Sequence, residues 1–185
     1  MKILMLGNSF TYCNDMPRIL AALLQADVTA HTRGGARLSE HLNPQTELGA
    51  KTLPALQNEK WDYVVLQEQS AAPVLTAEAF QRSVFELCKL IRQNGAVPVL
   101  YATWAYRDGS EKLASTGLTY PEMHERLYQS YHAAAAQSGA LVADVGVAFQ
   151  AVQPTVEMYV EDDYHPSPAG SVLAASVIAR TIENA

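Results

Sequence analysis

Cysteine is scarce in this 185-residue chain, which holds only Cys13 and Cys88, far apart. Two such residues cannot form a disulfide framework. Neither a C-x-x-C pair nor a Cys/His ligand spacing occurs, so a structural zinc site has no support and no metal is expected. Cys88 falls within the amphipathic pattern VFELCKLI and reads as a small core hydrophobe. Cys13 follows a polar loop and has no such reading. Charge is also sparse: charged residues make up 17%, with 13 basic against 19 acidic side chains, a net charge of −6 and no basic cluster. That balance excludes the electrostatic footprint of a nucleic-acid binder or of a protein drawn to anionic membrane. Long apolar runs are missing, and no window reaches the ~18 residues that a membrane helix needs. The opening MKILML runs at once into Gly7-Asn8-Ser9, without the longer apolar stretch and cleavage site of a signal peptide. The expected location is cytoplasmic. Repeats, low-complexity tracts and linkers are absent too. What remains is an ordinary globular composition, 49% hydrophobic, at a length that suits a single domain over residues 1–185.

Within it, apolar runs of strand length alternate with longer helical patterns. KILMLG (2–7), VTAHT (28–32), WDYVVLQEQ (61–69), AVPVLYATW (96–104) and ALVADVG (140–146) read as five strands. The apolar centre of the third is continuous, as when both faces are covered. Helices are expected at about 15–25, where Asp15 can cap and Pro17 suits the first turn, and at 76–95, with Thr76 as cap and Gly95 beyond the end. Others are expected at 120–139 and 167–182, and a stretch at about 45–58 reads as a helix broken at Pro54. Strand–helix alternation implies an α/β fold, a three-layer sandwich with helices on both faces of a parallel five-stranded sheet. Right-handed crossovers leave few topologies, of which the flavodoxin-like order 2-1-3-4-5 is the commonest at this size. In that order the carboxyl end of the first strand lies at the topological switch point, where such sheets bind ligands. Ser9 sits there.

A serine at a strand end is most often a turn or cap residue. The far end of the chain raises its standing, because EDDYHPSPAG (161–170) holds Asp162 and His165 at a spacing of three, just before the last helix. A turn of that length can bring the carboxylate to imidazole Nδ1, leaving Nε2 to accept a serine proton. Asp163, one residue nearer, is expected to face solvent. The other histidines lack this arrangement: His124 and His132 lie on a helix and read as solvated, His31 ends a strand, and His41 stands in a polar loop without an evident partner.

Together, GNSF after the first strand, a glycine loop after the second, a polar end to the third and a late D-x-x-H-P resemble the SGNH (GDSL-like) hydrolase superfamily. The resemblance runs from Gly7 to Gly170, with specific ends and a looser middle. It implies a serine esterase acting through an acyl-serine intermediate without cofactor or metal. Ser9 would be nucleophile, His165 general base and Asp162 the orienting acid. Its substrate would be a small ester, with an acylated sugar among the candidates. The oxyanion donors would be the backbone of Ser9, Gly35 (Gly34 as alternate) and the side chain of Gln69 (Gln67 as rival). The chain departs from the family pattern in having Asn8 where the first block has aspartate, and Gln67-Glu68-Gln69-Ser70 where the third reads G-x-N-D. Tyr12 and Trp104 are candidates to line the pocket, although core packing explains Trp104 equally well.

Two other readings stay open on sequence alone. An acyltransferase would use the same triad with an alcohol in place of water. A non-catalytic flavodoxin-like module could cradle a phosphate or flavin at the loop after the first strand, but such a site has no use for Asp162 and His165.

Overall fold

A computed structural model describes residues 1–185. Five parallel strands, β1 (Lys2–Gly7), β2 (Asp27–Thr32), β3 (Tyr63–Leu66), β4 (Val97–Tyr101) and β5 (Leu141–Ala143), form one sheet in the order β2-β1-β3-β4-β5. This is the expected topology, and the reason lies in the alternation of side chains along each strand. Leu4 and Leu6 of β1 join Val64, Leu66 and Leu100 in the core on one face, while Ile3 and Met5 join Val65, Val99 and Tyr101 on the other. Both faces of the central strands are therefore apolar and both need a helical layer.

The chain supplies ten α-helices. Ahead of β2 come α1 (Ser9–Tyr12) and α2 (Met16–Leu24), joined by the 3₁₀ turn Cys13–Asp15; between β2 and β3 lie α3 (Leu38–His41) and α4 (Glu47–Asn58). Then follow α5 (Ala72–Leu75), α6 (Ala77–Asn94), α7 (Glu111–Ala114), α8 (Tyr120–Ser138), α9 (Val145–Val152) and α10 (Pro168–Glu183). Helices α6 and α8 cover the Leu4/Leu66 face through Phe80, Val84, Leu87, Leu127 and Tyr131. Helices α2, α9 and α10 cover the opposite face through Leu20, Phe149 and Ile178. None of these helices is long and apolar enough to cross a membrane.

Several local expectations need correcting. Strands β3, β4 and β5 are shorter than the apolar runs that announce them: the polar end of the third run turns into the loop that carries Gln69, and Val145 and Gly146 of the fifth run begin α9. Pro54 does not break α4: it lies on the exposed face, where the Ala50 carbonyl it leaves unpaired can reach water. Asp15 and Thr76 occupy N-cap positions without capping. Asp15 has left-handed backbone and pairs with Arg18 at 3.8 Å, and the Thr76 hydroxyl donates back to the Ala72 carbonyl. Helix α9 was not expected, since ADVGVAFQAV carries no cap hydrogen bond and its apolar residues continue those of β5. His41 is fully buried, with Nδ1 2.9 Å from the Thr52 hydroxyl, and His31 reaches the same hydroxyl at 3.1 Å. His132 is half-buried against Asp144 at 2.8 Å rather than solvated.

Candidate active site

The site forms where β1, β2 and β3, three neighbours in the sheet, reach their carboxyl ends. Strand β1 ends in glycine because nothing larger fits: a Cβ at Gly7 would collide with the Thr11 hydroxyl and the Gln67 carboxamide. The chain then turns sharply. Asn8 caps α1, its Oδ1 accepting from the Phe10 N–H at 3.1 Å while its Nδ2 donates to the Ala36 carbonyl at 3.0 Å. This explains an asparagine here, for an aspartate could not donate to Ala36. Below the turn, the Gln67 Oε1 accepts from the Asn8 N–H (2.9 Å) and the Thr11 hydroxyl (3.0 Å), and its Nε2 donates to the Glu68 carbonyl. Thr11 and Tyr12 direct their N–H groups to the Asn8 carbonyl. The Ser9 N–H, at the first position of the helix, has no intrahelical acceptor.

Ser9 meets the late loop of the chain. In that loop Asp162 Oδ1 accepts from the N–H groups of Tyr164 (3.2 Å) and His165 (2.9 Å), closing an Asx turn, and Oδ2 accepts from His165 Nδ1 at 2.6 Å. Burial raises the Asp162 carboxyl, but the hydrogen bonds from His165 and Tyr164 outweigh it and hold the group below its ordinary range. An ionised carboxylate only accepts, so Nδ1 carries a proton, and in the neutral ring Nε2 is then the acceptor. The Ser9 hydroxyl donates to that Nε2 over 2.7 Å. Asp163 does not face free solvent. Its φ of 67° turns the carboxylate away from the ring and onto Arg107 Nε at 2.7 Å, and Arg107 also grips Glu157 at 2.8 Å. The Arg107 N–H further donates to the Asp163 carbonyl at 2.8 Å, so this cluster pins the loop to the segment after β4.

Ser9 and His165 open onto a cleft of about 290 Å³ lined also by Tyr12, Gly34, Gly35 and Gln69. Gly35 has φ 67° with open space around it, a backbone that side-chain-bearing residues rarely adopt. Gln69 lines the cleft while its Oε1 accepts from the N–H groups of Ala71 and Ala72 at the start of α5 and its Nε2 donates to Ser70 Oγ at 3.3 Å. Gln67 is fully buried beneath β1, away from the cleft, with its oxygen doubly occupied.

Trp104 must be corrected. It is completely buried and absent from the cleft, sandwiched between Phe10 (4.5 Å between centroids) and Phe149 (3.9 Å), with its indole N–H donated to the Tyr164 carbonyl at 3.0 Å. Its place is under the site, bracing both Phe10 next to Ser9 and Tyr164 next to His165. Cys13 is half-buried, and burial, with the Asp162 charge in second place, raises its thiol further from reactivity. One residue of the site was missed from sequence. Glu68 is buried, and its carboxylate accepts from the N–H of Gln69 at 2.6 Å and of Leu38 at 3.3 Å, tying the loop after β3 to the loop after β2. Burial pushes it up to about 7 against those N–H groups and the charge of Arg37. Nothing in the string QEQS signals this, because the partners come from a distant loop.

Comparison with known proteins follows the same lines. Residues 70–185 match the family described as the SGNH hydrolase-like domain of the acetyltransferase AlgX, a span that includes Asp162 and His165 but not Ser9. A protein from Slackia heliotrinireducens assigned to the SGNH hydrolases is 51% identical over 98% of both chains, with a TM-score of 0.95. A DUF4886 protein from Bacteroides uniformis (20% identity, 100% of this chain and 83% of that one, TM-score 0.77) shares the fold. So does the acetylxylan esterase Axe2 from Geobacillus stearothermophilus, at 16% identity over 98% and 93% of the two chains and a TM-score of 0.74. No curated protein matches the sequence significantly.

Proposed function

The chain belongs to the SGNH hydrolase superfamily, and from that premise we propose that it is a serine esterase that removes a small acyl group, such as the O-acetyl of a carbohydrate. The observation that carries this reading is the unbroken run of hydrogen bonds from Asp162 through His165 to the Ser9 hydroxyl, at 2.6 and 2.7 Å, ending in an open cleft. Ser9 Oγ attacks the ester carbonyl and passes its proton to His165 Nε2, while Asp162 steadies the imidazolium. The oxyanion is met by the N–H groups of Ser9 and Gly35 and by the Gln69 carboxamide, each such donor contributing ~3 kcal/mol to the transition state. The carbon–oxygen bond to the alcohol then breaks and His165 returns the proton to the leaving oxygen. Water, deprotonated by the same imidazole, attacks the acyl-Ser9 ester; the bond to Ser9 Oγ breaks, His165 returns the proton to that oxygen, and the acid is released.

The cleft volume sits at the small end of ligand sites, which suits a short acyl group. The similarity in fold to an acetylxylan esterase supports an acetylated sugar as the substrate class. Turnover of p-nitrophenyl acetate and of acetylated sugars tests the reading, with Ser9→Ala expected to lose at least ~10³-fold in kcat. Full activity in Ser9→Ala would end it. One observation favours a second reading: the matching family is that of an acetyltransferase, whose chemistry differs only in the acceptor of the second step. Product analysis with a sugar acceptor present separates the two, since a transferase forms an acetylated sugar in place of free acetate.

A further inference from the structure

Among the residues that line the Ser9 cleft, Lys112 of α7 is the one with a permanent charge, and no carboxylate lines the cleft with it. Its ammonium takes part in none of the salt bridges of the chain. It lies instead over two aromatic rings, 4.5 Å from the centroid of Tyr164 and 5.7 Å from that of Tyr106. Those rings are themselves fixed: they pack edge to face at 5.6 Å, and the Tyr106 hydroxyl is hydrogen-bonded to Ser70 at 2.7 Å. A lysine is otherwise free to swing into water, and a ring platform of this kind decides where its charge rests. The orienting acid of the site, Asp162, has its oxygens turned to His165 and Tyr164. In a chain of net charge −6, the cleft thus holds a local, unneutralised cation.

Its place in the reaction follows from Tyr164. That ring stands 4.1 Å from the ring of His165, the group that returns a proton to the leaving alcohol, whereas Gly35 approaches from the loop after β2. The shared contact with Tyr164 puts Lys112 on the His165 side of the cleft, the side from which the alcohol would leave. Resting on the esterase reading above, we propose that the physiological substrate carries an anionic group on its alcohol portion and that Lys112 selects for it. A neutral ester has no charge to pair with this ammonium, while an anionic group on the alcohol would offset a charge now balanced only by water and π-faces.

The test compares 4-acetoxybenzoate with its neutral analogue 4-acetoxybenzamide in the wild type, Lys112→Met and Lys112→Glu. Intrinsic leaving-group differences cancel when the ratio of the two kcat/KM values is compared between proteins. That ratio should fall about three- to tenfold in Lys112→Met and further in Lys112→Glu, the range expected of a partly exposed ion pair. Raising ionic strength from about 0.02 to about 0.5 M should lower the ratio in the wild type and leave it flat in Lys112→Met, because salt screens the pair. Ratios equal within about twofold in all three proteins, with both esters turned over, would overturn the role of Lys112 and leave the esterase reading standing. No turnover of either ester by the wild type would overturn the esterase reading, and this proposal with it.

Discussion

At Asp162 and Asp163, two chemically identical neighbours are separated by a backbone angle. The left-handed φ of 67° at Asp163 sends its carboxylate to Arg107, while Asp162 keeps the imidazole. Asp162→Asn should lose roughly 10⁴ in kcat, since an amide can donate to Nδ1 and so favours the wrong tautomer. Asp163→Asn should cost less than about tenfold in activity and about 1 kcal/mol in stability, because its ion pair is one-third exposed and solvent-screened. Steady-state kinetics and denaturant titration of both variants check this, and a reversed order would move the orienting acid by one residue. The two glutamines divide differently. Gln69→Ala should lower kcat by ~10²-fold with KM nearly unchanged, as for a lost oxyanion donor. Gln67→Ala strands the Asn8 N–H and the Thr11 hydroxyl in a dry interior and should cost ~2–3 kcal/mol of stability. If Gln67→Ala folds normally and loses only kcat, the oxyanion assignment is misplaced by two residues. From sequence, the pairing of Asp162 with His165 was legible because three residues is the reach of one Asx turn. The partnership of Asp163 with Arg107 was not, because it joins segments far apart in the chain.

Elements of the site are short, and their stiffness comes from what lies beneath. Helix α1 has four residues, too few to hold its own geometry, yet it carries Ser9. The sandwich of Phe10, Trp104 and Phe149 supplies the rigidity, linking α1 to α9 and, through the indole N–H, to the backbone beside His165. Trp104→Ala should therefore cost ~3–5 kcal/mol of stability. Trp104→Phe, which keeps the stack and loses the hydrogen bond to Tyr164, should cost about 1 kcal/mol. Thermal denaturation with the kinetics of both variants checks the assignment: an undiminished Tm in Trp104→Ala, with a raised KM, would return this ring to the substrate pocket. The five strands and the long helices were readable because their periodicity runs over many residues. The four-residue helices α3, α5 and α7 were not, since a single turn leaves no period to detect, nor was α9, whose apolar residues continue those of β5.

Across the whole molecule, two buried ionisable groups pull stability in opposite directions with pH. His41, between α3 and α4, is lowered from 6.5 to about 4 by burial, with a further push from His31 against the opposing charge of Glu40. Its neutral form is the folded one. Its contribution is full above pH 6.5 and is lost as pH falls toward 4, a total of ~3 kcal/mol for a shift of this size. Glu68 is raised from 4.5 to about 7, chiefly by burial. Its protonated form is the folded one, so its contribution is full below pH 4.5 and is lost as pH rises through 7, again by ~3 kcal/mol. Over most of that shared window the folded protein lacks a proton at His41 and holds an extra one at Glu68, and the two slopes cancel. The wild type should thus show unfolding free energy that is nearly flat in this interval as far as these groups decide it. Each single variant should expose the other group. Glu68→Gln keeps an acceptor for the Gln69 and Leu38 N–H groups but cannot titrate, so its stability relative to the wild type should rise by ~3 kcal/mol between pH 4.5 and 7. His41→Asn, with an amide near the position of Nδ1, should gain on the wild type by a similar amount as pH falls from 6.5 to 4. Chemical denaturation at half-unit pH steps measures both differences. Parallel stability curves for wild type and Glu68→Gln would mean that Glu68 titrates in the folded protein as it does in water, and the tie it makes between the loops after β2 and β3 would then be no more than an ordinary carboxylate contact.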